Sequence, residues 1–217
     1  MNRIAIIMLA AVVFVAGCSS KAEIPNTRGV YMLLDTSGTY TDELKKAQVI
    51  INYTLAKLNP GDTFAVARVD TGSFSEKDII AKVTFDDRPS MANRQKLQFR
   101  DKIDRFVKTV KASAYTDITG GMLQAIEYLN EANVGKKTIL IFSDLKEELK
   151  KGYVRDIPLQ VGGFDVVALN VTKLRSDNVD PREYMDRLSM WQKRVESGEG
   201  SWRVINDMER LESVILN

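Results

Sequence analysis

The stretch Val30-Tyr31-Met32-Leu33-Leu34-Asp35-Thr36-Ser37-Gly38-Thr39 decides how the rest of the chain is read. Its first half is continuously apolar, the pattern of a strand covered on both faces, as in a parallel sheet. Its second half opens with a carboxylate and continues with hydroxyls, so Asp35, Ser37 and Thr39 stand just past a strand end. In an open parallel sheet that is where ligand sites form. A second apolar run, Thr138 to Phe142, ends the same way, in Ile141-Phe142-Ser143-Asp144. Between the two lies Thr116-Asp117-Ile118-Thr119-Gly120-Gly121, with a helical pattern beginning just after Thr116. Hydroxyl and carboxylate oxygens suit a small hard cation such as Mg2+ or Mn2+, which keeps waters and takes only one or two carboxylates. Asp35, Ser37, Thr39, Thr116 and Asp144 are therefore the candidate metal ligands.

Working outward, strand and helix patterns alternate. Leu44, Ala47, Ile51, Leu55 and Leu58 recur at helical spacing, and Asn59-Pro60-Gly61-Asp62 stops that helix. Phe64 to Val69 and Ile79 to Phe85 read as strands, and the short turn around Thr71-Gly72-Ser73 predicts that they pair antiparallel. Phe99, Ile103, Phe106 and Val110 mark a second helix, and Met122, Ile126 and Leu129 a third. A strand from Lys137 to Phe142, a polar helix from Leu145 to Lys151 and a strand from Phe164 to Asn170 follow. Pro181 opens a helix with Leu188, Trp191 and Val195 inward, then come a strand from Ser201 to Ile205 and a last helix carrying Met208, Leu211 and Ile215. This alternation predicts a doubly wound α/β fold, Rossmann-like, with a mostly parallel central sheet, one antiparallel edge strand and helices on both faces.

The three polar pieces, taken in order, resemble the metal-ion-dependent adhesion site of von Willebrand factor type A domains. That family's pattern is Asp-x-Ser-x-Ser, a later Thr opening a helix, and an Asp after the fourth strand. The run from Asp35 to Thr39 matches the first piece with a hydroxyl kept in the final place, Thr116 matches the second and Asp144 the third. The family usually has Gly after that last Asp, whereas this chain has Leu145, which cannot adopt a positive-φ turn cheaply. The order of elements is similar from about Arg28 to Asn217. The resemblance implies a central first strand beside the fourth, which would juxtapose Asp35 and Asp144. It implies direct ligation by Ser37 and Thr39, with Thr116, Asp35 and Asp144 alternating between direct and water-bridged contact. It also implies an open coordination position filled by an acidic residue of a protein partner. Asp117, the nearest extra acid, is read as a helix cap.

The N-terminus carries a second pattern. Arg3 precedes the apolar run Ile4 to Ala16, too short for a stable bilayer span and with the charge and length of a secretory signal. Val15-Ala16-Gly17-Cys18 resembles the bacterial lipobox, in which the Cys receives lipid and becomes the first mature residue. Cys18 is the only cysteine in the chain, so it has no partner for an internal disulfide. Residues 1–17 are thus expected to be a lipoprotein signal peptide, 18–27 the lipidated Cys and a tether, and 28–217 one type A-like domain. Ser19 and Ser20, with no Asp directly after the Cys, resemble sorting to the outer membrane in preference to the inner. The expected protein is a lipid-anchored component of a bacterial cell envelope.

Composition narrows the chemistry. Lys plus Arg number 31 against 29 for Asp plus Glu, so no net field favours nucleic acid and no such partner is expected. The basic stretch Arg88 to Lys111 is interrupted by Asp101 and Asp104 and reads as a solvated helix face. The chain contains no His, which removes Ser-His-Asp triads, His general acids and the common zinc sites. No Gly-rich run ends in Gly-Lys-Ser or Gly-Lys-Thr, which removes the phosphate loop. Binding, with no catalysis, is the expectation. Two other readings stay open. One is a metal-dependent phosphatase with Asp35 as nucleophile, although haloacid-dehalogenase-like phosphatases carry a second Asp where this chain has Ser37. The other is a structural lipoprotein whose site is relict.

Overall fold

The computed structural model describes residues 25–38, 40, 43–70, 72 and 74–207. The signal and lipobox with Cys18, the candidate ligand Thr39, and the helix expected around Met208, Leu211 and Ile215 lie outside the described residues. The apolar runs form six strands: β1 (Arg28–Asp35), β2 (Thr63–Val69), β3 (Ile79–Thr84), β4 (Lys136–Phe142), β5 (Phe164–Leu169) and β6 (Ser201–Ile205). They make one sheet in the order β3-β2-β1-β4-β5-β6. Every neighbouring pair is parallel except β2 with β3, and β3 is the edge strand of the sheet, as expected.

Four helices are found among the described residues: α1 (Leu44–Lys57), α2 (Pro89–Thr109), α3 (Ile118–Glu131) and α4 (Pro181–Ser197). Successive side chains of a strand point to opposite faces, so β1 feeds two cores. Val30, Met32 and Leu34 pack with Ile51 and Leu55 of α1 and with Phe99 and Ile103 of α2. Tyr31 and Leu33 pack with Ile118, Met122 and Leu129 of α3 and with Trp191 and Val195 of α4. Fully burying such side chains contributes about 1.5–3 kcal/mol each, which is why this strand takes the centre of the sheet. Gly121 lets α3 lie close on it, since a Cβ there would come within 2.9 Å of Leu33 and Val69.

The expected helix from Leu145 to Lys151 does not form. Leu145 has φ 66°, outside the helical region, and Glu148 exchanges two backbone hydrogen bonds with Thr116, at 2.8 and 2.9 Å. Tertiary bonding has overridden the helical pattern of a charged segment whose own propensity is only a weak preference. β4 and β5 are therefore joined by an irregular connection with no α-helix in it.

The strand order runs outward in opposite directions from β1 and β4, which makes the gap between their C-terminal ends the switch point of the sheet. Leu34 lies opposite Phe142 in that pair, so Asp35 and the Ser143-Asp144 dipeptide emerge side by side. No helix among the described residues is long and apolar enough to cross a membrane.

Candidate metal centre

At this switch point the chain builds an oxygen-lined cleft. Ser37, Thr116 and Asp144 line one opening of about 430 Å3, with Ser113, Lys146, Glu148 and Arg175 on the same walls. Asp35 stands behind it with 0% of its surface exposed. Its Oδ1 accepts a hydrogen bond from the Ser37 amide at 2.8 Å, and its Oδ2 accepts one from the Ser143 hydroxyl at 2.6 Å. Asp144 is 4% exposed, and its Oδ1 accepts from the Lys146 amide at 2.8 Å. Thus four of the five candidate ligands are brought together at one place.

Burial pushes the Asp35 carboxyl above its usual range, against the hydrogen bonds from Ser143 and Ser37 that favour its charge. Burial also pushes Asp144 up, to about 6, with the charge of Asp35 adding to the rise while the Lys146 amide and the Arg187 and Lys146 charges oppose it. Neither carboxylate is in an ion pair among the described residues. Two poorly solvated like charges, flanked by neutral hydroxyls and open to a cleft, fit a hard divalent cation. No group of three or more His, Cys, Asp or Glu among the described residues could hold a metal. A cation here would therefore depend on hydroxyl donors. A carboxylate offers about four lone-pair sites, so Asp35 could reach a cation through water while Ser37, Thr116 and Asp144 line the opening.

The site is fixed from the other core as well. Asp117 caps α3 by accepting from the Gly120 amide at 2.7 Å, and a Cβ at Gly120 would lie 2.5 Å from that carboxylate, so the glycine makes room for the cap. The capping role expected of Asp117 is found. It is also 1% exposed and ion-paired with Arg155 at 2.8 Å.

Searches against known sequences find no matching family model, and no curated protein matches significantly. Solved structures do match. One is a von Willebrand factor type A protein from Catenulispora acidiphila, 16% identical, with TM-score 0.54 over 88% of this chain and 41% of that one. Another is the pilus adhesin SpaC from Lactobacillus rhamnosus GG in its open conformation, 12% identical, with TM-score 0.56 over 89% of this chain and 29% of that one. The fold is that of a von Willebrand factor type A domain. At these identities the likeness carries the fold alone, and the chain spans less than half the length of either structure.

Within this type A fold, several residues that support the cleft had no role assigned from sequence. Ser143 bridges the two strand ends, donating to Asp35 and accepting from the Leu145 amide at 3.0 Å. Leu145 adopts the left-handed turn after all, with its side chain 0% exposed and its carbonyl accepting from Trp191 Nε1 at 3.0 Å. Trp191 is core, as expected, and an anchor too. Arg187 reaches the Asp144 carbonyl at 3.3 Å while gripping Asp177 with two nitrogens at 2.7 and 2.8 Å. Glu147 accepts from the Thr119 amide at 2.7 Å, tying the β4–β5 connection to the start of α3. An acid among alternating charges carries no sequence mark that distinguishes it from a solvated one.

Proposed function

We propose that this chain is a lipid-anchored protein of a bacterial cell envelope that binds a protein partner through a divalent cation. Asp35, Ser37, Thr116 and Asp144, with Thr39 from the adjoining segment, would hold Mg2+ or Mn2+. When bound, such a cation supplies a Lewis-acidic position able to take an oxygen donor from outside. The observation that supports this most directly is the pairing of two buried, mutually unfavourable carboxylates with hydroxyls at the mouth of one solvent-open cleft. A carboxylate on the partner exchanges for water at such a position and neutralises charge. One protein of like fold is a pilus adhesin, which is in keeping with a binding role. Cys18, lipidated, would place the domain at the membrane, the outer one by the residues that follow it.

The phosphatase reading loses support from the same geometry. Asp35 has 0% of its surface exposed, and both its oxygens accept hydrogen bonds, which disfavours direct attack of its carboxylate on a substrate phosphorus. The test of binding is capture from envelope extract in Mg2+ and in EDTA, with wild type and Ser37→Ala. Losing one side of a desolvated charge pair costs about 2–5 kcal/mol, so chelation or the substitution should weaken capture by roughly 30-fold or more at about 1.4 kcal/mol per tenfold. Equal retention in all four conditions would place recognition on another face.

A further inference from the structure

A second cleft, also of about 430 Å3, lies at the β2–β3 side of the sheet. Arg68, Lys77, Lys102 and Arg105 surround an apolar floor that includes Ile79 and Phe106, and Asp78 is the one acid among its lining residues. Asp78 lies 3.3 Å from Arg68, and Asp70 lies 3.9 Å from the same guanidinium, so Arg68 is oriented and partly neutralised. Lys77, Lys102 and Arg105 are exposed and have no ion pair with a carboxylate side chain among the described residues. Lys102 and Arg105 stand three apart on α2 and share a face. The chain as a whole carries a formal charge of only +2, so this is a local concentration of positive charge and not a general property.

The cationic cleft is joined to the metal cleft by a short run of bonds. Ser113 lines the metal cleft, and its amide donates to the Thr36 carbonyl at 2.7 Å. Its hydroxyl donates to Asp70 at 2.5 Å, and Asp70 in turn lies beside Arg68 on the wall of the second cleft. A single extended segment crossing the Ser113–Asp70–Arg68 line would meet both.

We infer that the second cleft receives an acidic segment of the partner, a run of Asp or Glu with an apolar side chain seated against Ile79 and Phe106. The inference rests on the metal-bridged binding proposed above for its partner, whereas the charge of the cleft does not depend on any metal. Carboxylates gain charge-assisted hydrogen bonds from these lysines and arginines, while a neutral or basic segment leaves them unpaired or repelled. The cations converge on one pocket and do not track a groove, which favours an acidic peptide over a nucleic-acid backbone. Engaging both clefts makes the second contact intramolecular, so two modest sites yield a tight and selective complex.

The test uses full-length protein in detergent with fluorescein-labelled hexaglutamate, hexaglutamine and a short oligothymidylate, read by anisotropy in EDTA so that no metal contributes. Hexaglutamate is expected to bind, and Lys102→Glu with Arg105→Glu to weaken it by about tenfold or more. Arg94→Glu with Arg100→Glu, which changes the net charge equally on exposed positions of the same helix, is expected to leave binding unchanged. Equal loss in both double variants, equal binding of hexaglutamine, or tighter charge-sensitive binding of the oligothymidylate would overturn the inference. Adding Mg2+ with Ser37→Ala in parallel separates the two clefts. A metal effect without the Lys102 and Arg105 effect supports the bridge alone, and the reverse supports the cationic cleft alone.

Discussion

The hydroxyl of Ser143 donates to the carboxylate of Asp35 at 2.6 Å, binding the ends of two neighbouring strands by a side chain where the backbone ladder has run out. Because the same hydroxyl accepts from the Leu145 amide, it sets the path of the chain just after Asp144. The distance between the two carboxylates of the cleft therefore depends on a serine that is not itself among the candidate ligands.

Ser143→Ala should destabilise the domain more than loss of an ordinary neutral hydrogen bond. It strips one donor from a buried carboxylate, and bonds to charged groups are worth about 1.5–3 kcal/mol. At roughly 2–4 °C per kcal/mol for a domain of this size, the melting midpoint should fall by several degrees. An unchanged midpoint would show that the bond contributes nothing.

Divalent metal should stabilise the fold. A ligand at about 100 times its dissociation constant adds about 2.7 kcal/mol, so Mg2+ should raise the wild-type midpoint by roughly 5–11 °C. Asp35→Ala and Asp144→Asn should each remove the response. Thermal scans in Mg2+ and EDTA decide it, and a wild-type response retained in both variants would remove the cation from this cleft.

Leu145 offers a contest between backbone and packing. Its left-handed backbone costs about 1–2 kcal/mol, while deleting a buried leucine side chain costs about 2–5 kcal/mol. Packing wins, so both Leu145→Gly and Leu145→Ala should destabilise. Alanine keeps the strain and loses most of the packing, so it should be no better than glycine despite retaining a methyl group. Urea midpoints of the two variants give the order, and an alanine variant clearly more stable than the glycine one would contradict the strain.

The Asp177–Arg187 pair sets an acid limit. Arg187 lowers the Asp177 carboxyl from 3.8 to about 2. A lowered folded value means that the contribution is complete above the unfolded value near 4 and drains away as pH falls through about 2. Both side chains are largely buried, at 13% and 0% exposed. Asp177→Asn should therefore cost about 3 kcal/mol at neutral pH and flatten the stability loss between about pH 4 and pH 2. Denaturant titrations across that range would show the same acid slope in both proteins if the pair were inert.

Cys18→Ser should release the protein from membranes. Each buried CH2 of an acyl chain contributes about 0.8 kcal/mol, and stable anchoring takes more than one chain. Fractionation of cells expressing each form is sufficient, and equal membrane retention of the serine variant would dismiss the lipid anchor.

Much of the fold was legible because buried parallel strands and amphipathic helices leave strong periodic marks. Val30 to Leu34, Phe64 to Val69 and Lys137 to Phe142 all became strands within a residue or two. Asp35, Ser37, Thr116 and Asp144 were legible because oxygen-bearing residues directly after apolar runs are chemically conspicuous. The segment from Leu145 to Lys151 was not, since its conformation is decided by the distant Thr116, Thr119 and Trp191. Nor was the cationic cleft, because Arg68 and Lys77 come from a different part of the chain than Lys102 and Arg105. Contacts of long sequence separation leave no periodicity to read.

β1 runs from Arg28 to Asp35, two residues short of Ser37, hydrogen-bonded along its length to β2 on one side and β4 on the other. A pull applied between an anchored N-terminus and a partner held at the cleft would act along this strand. The part of such a load that leaves through Asp144 passes from β1 to β4 across their ladder in shear, so its hydrogen bonds must yield together, whereas a strand loaded across its axis would peel away one bond at a time. The centre of the sheet is thus also the line along which the domain can best resist tension.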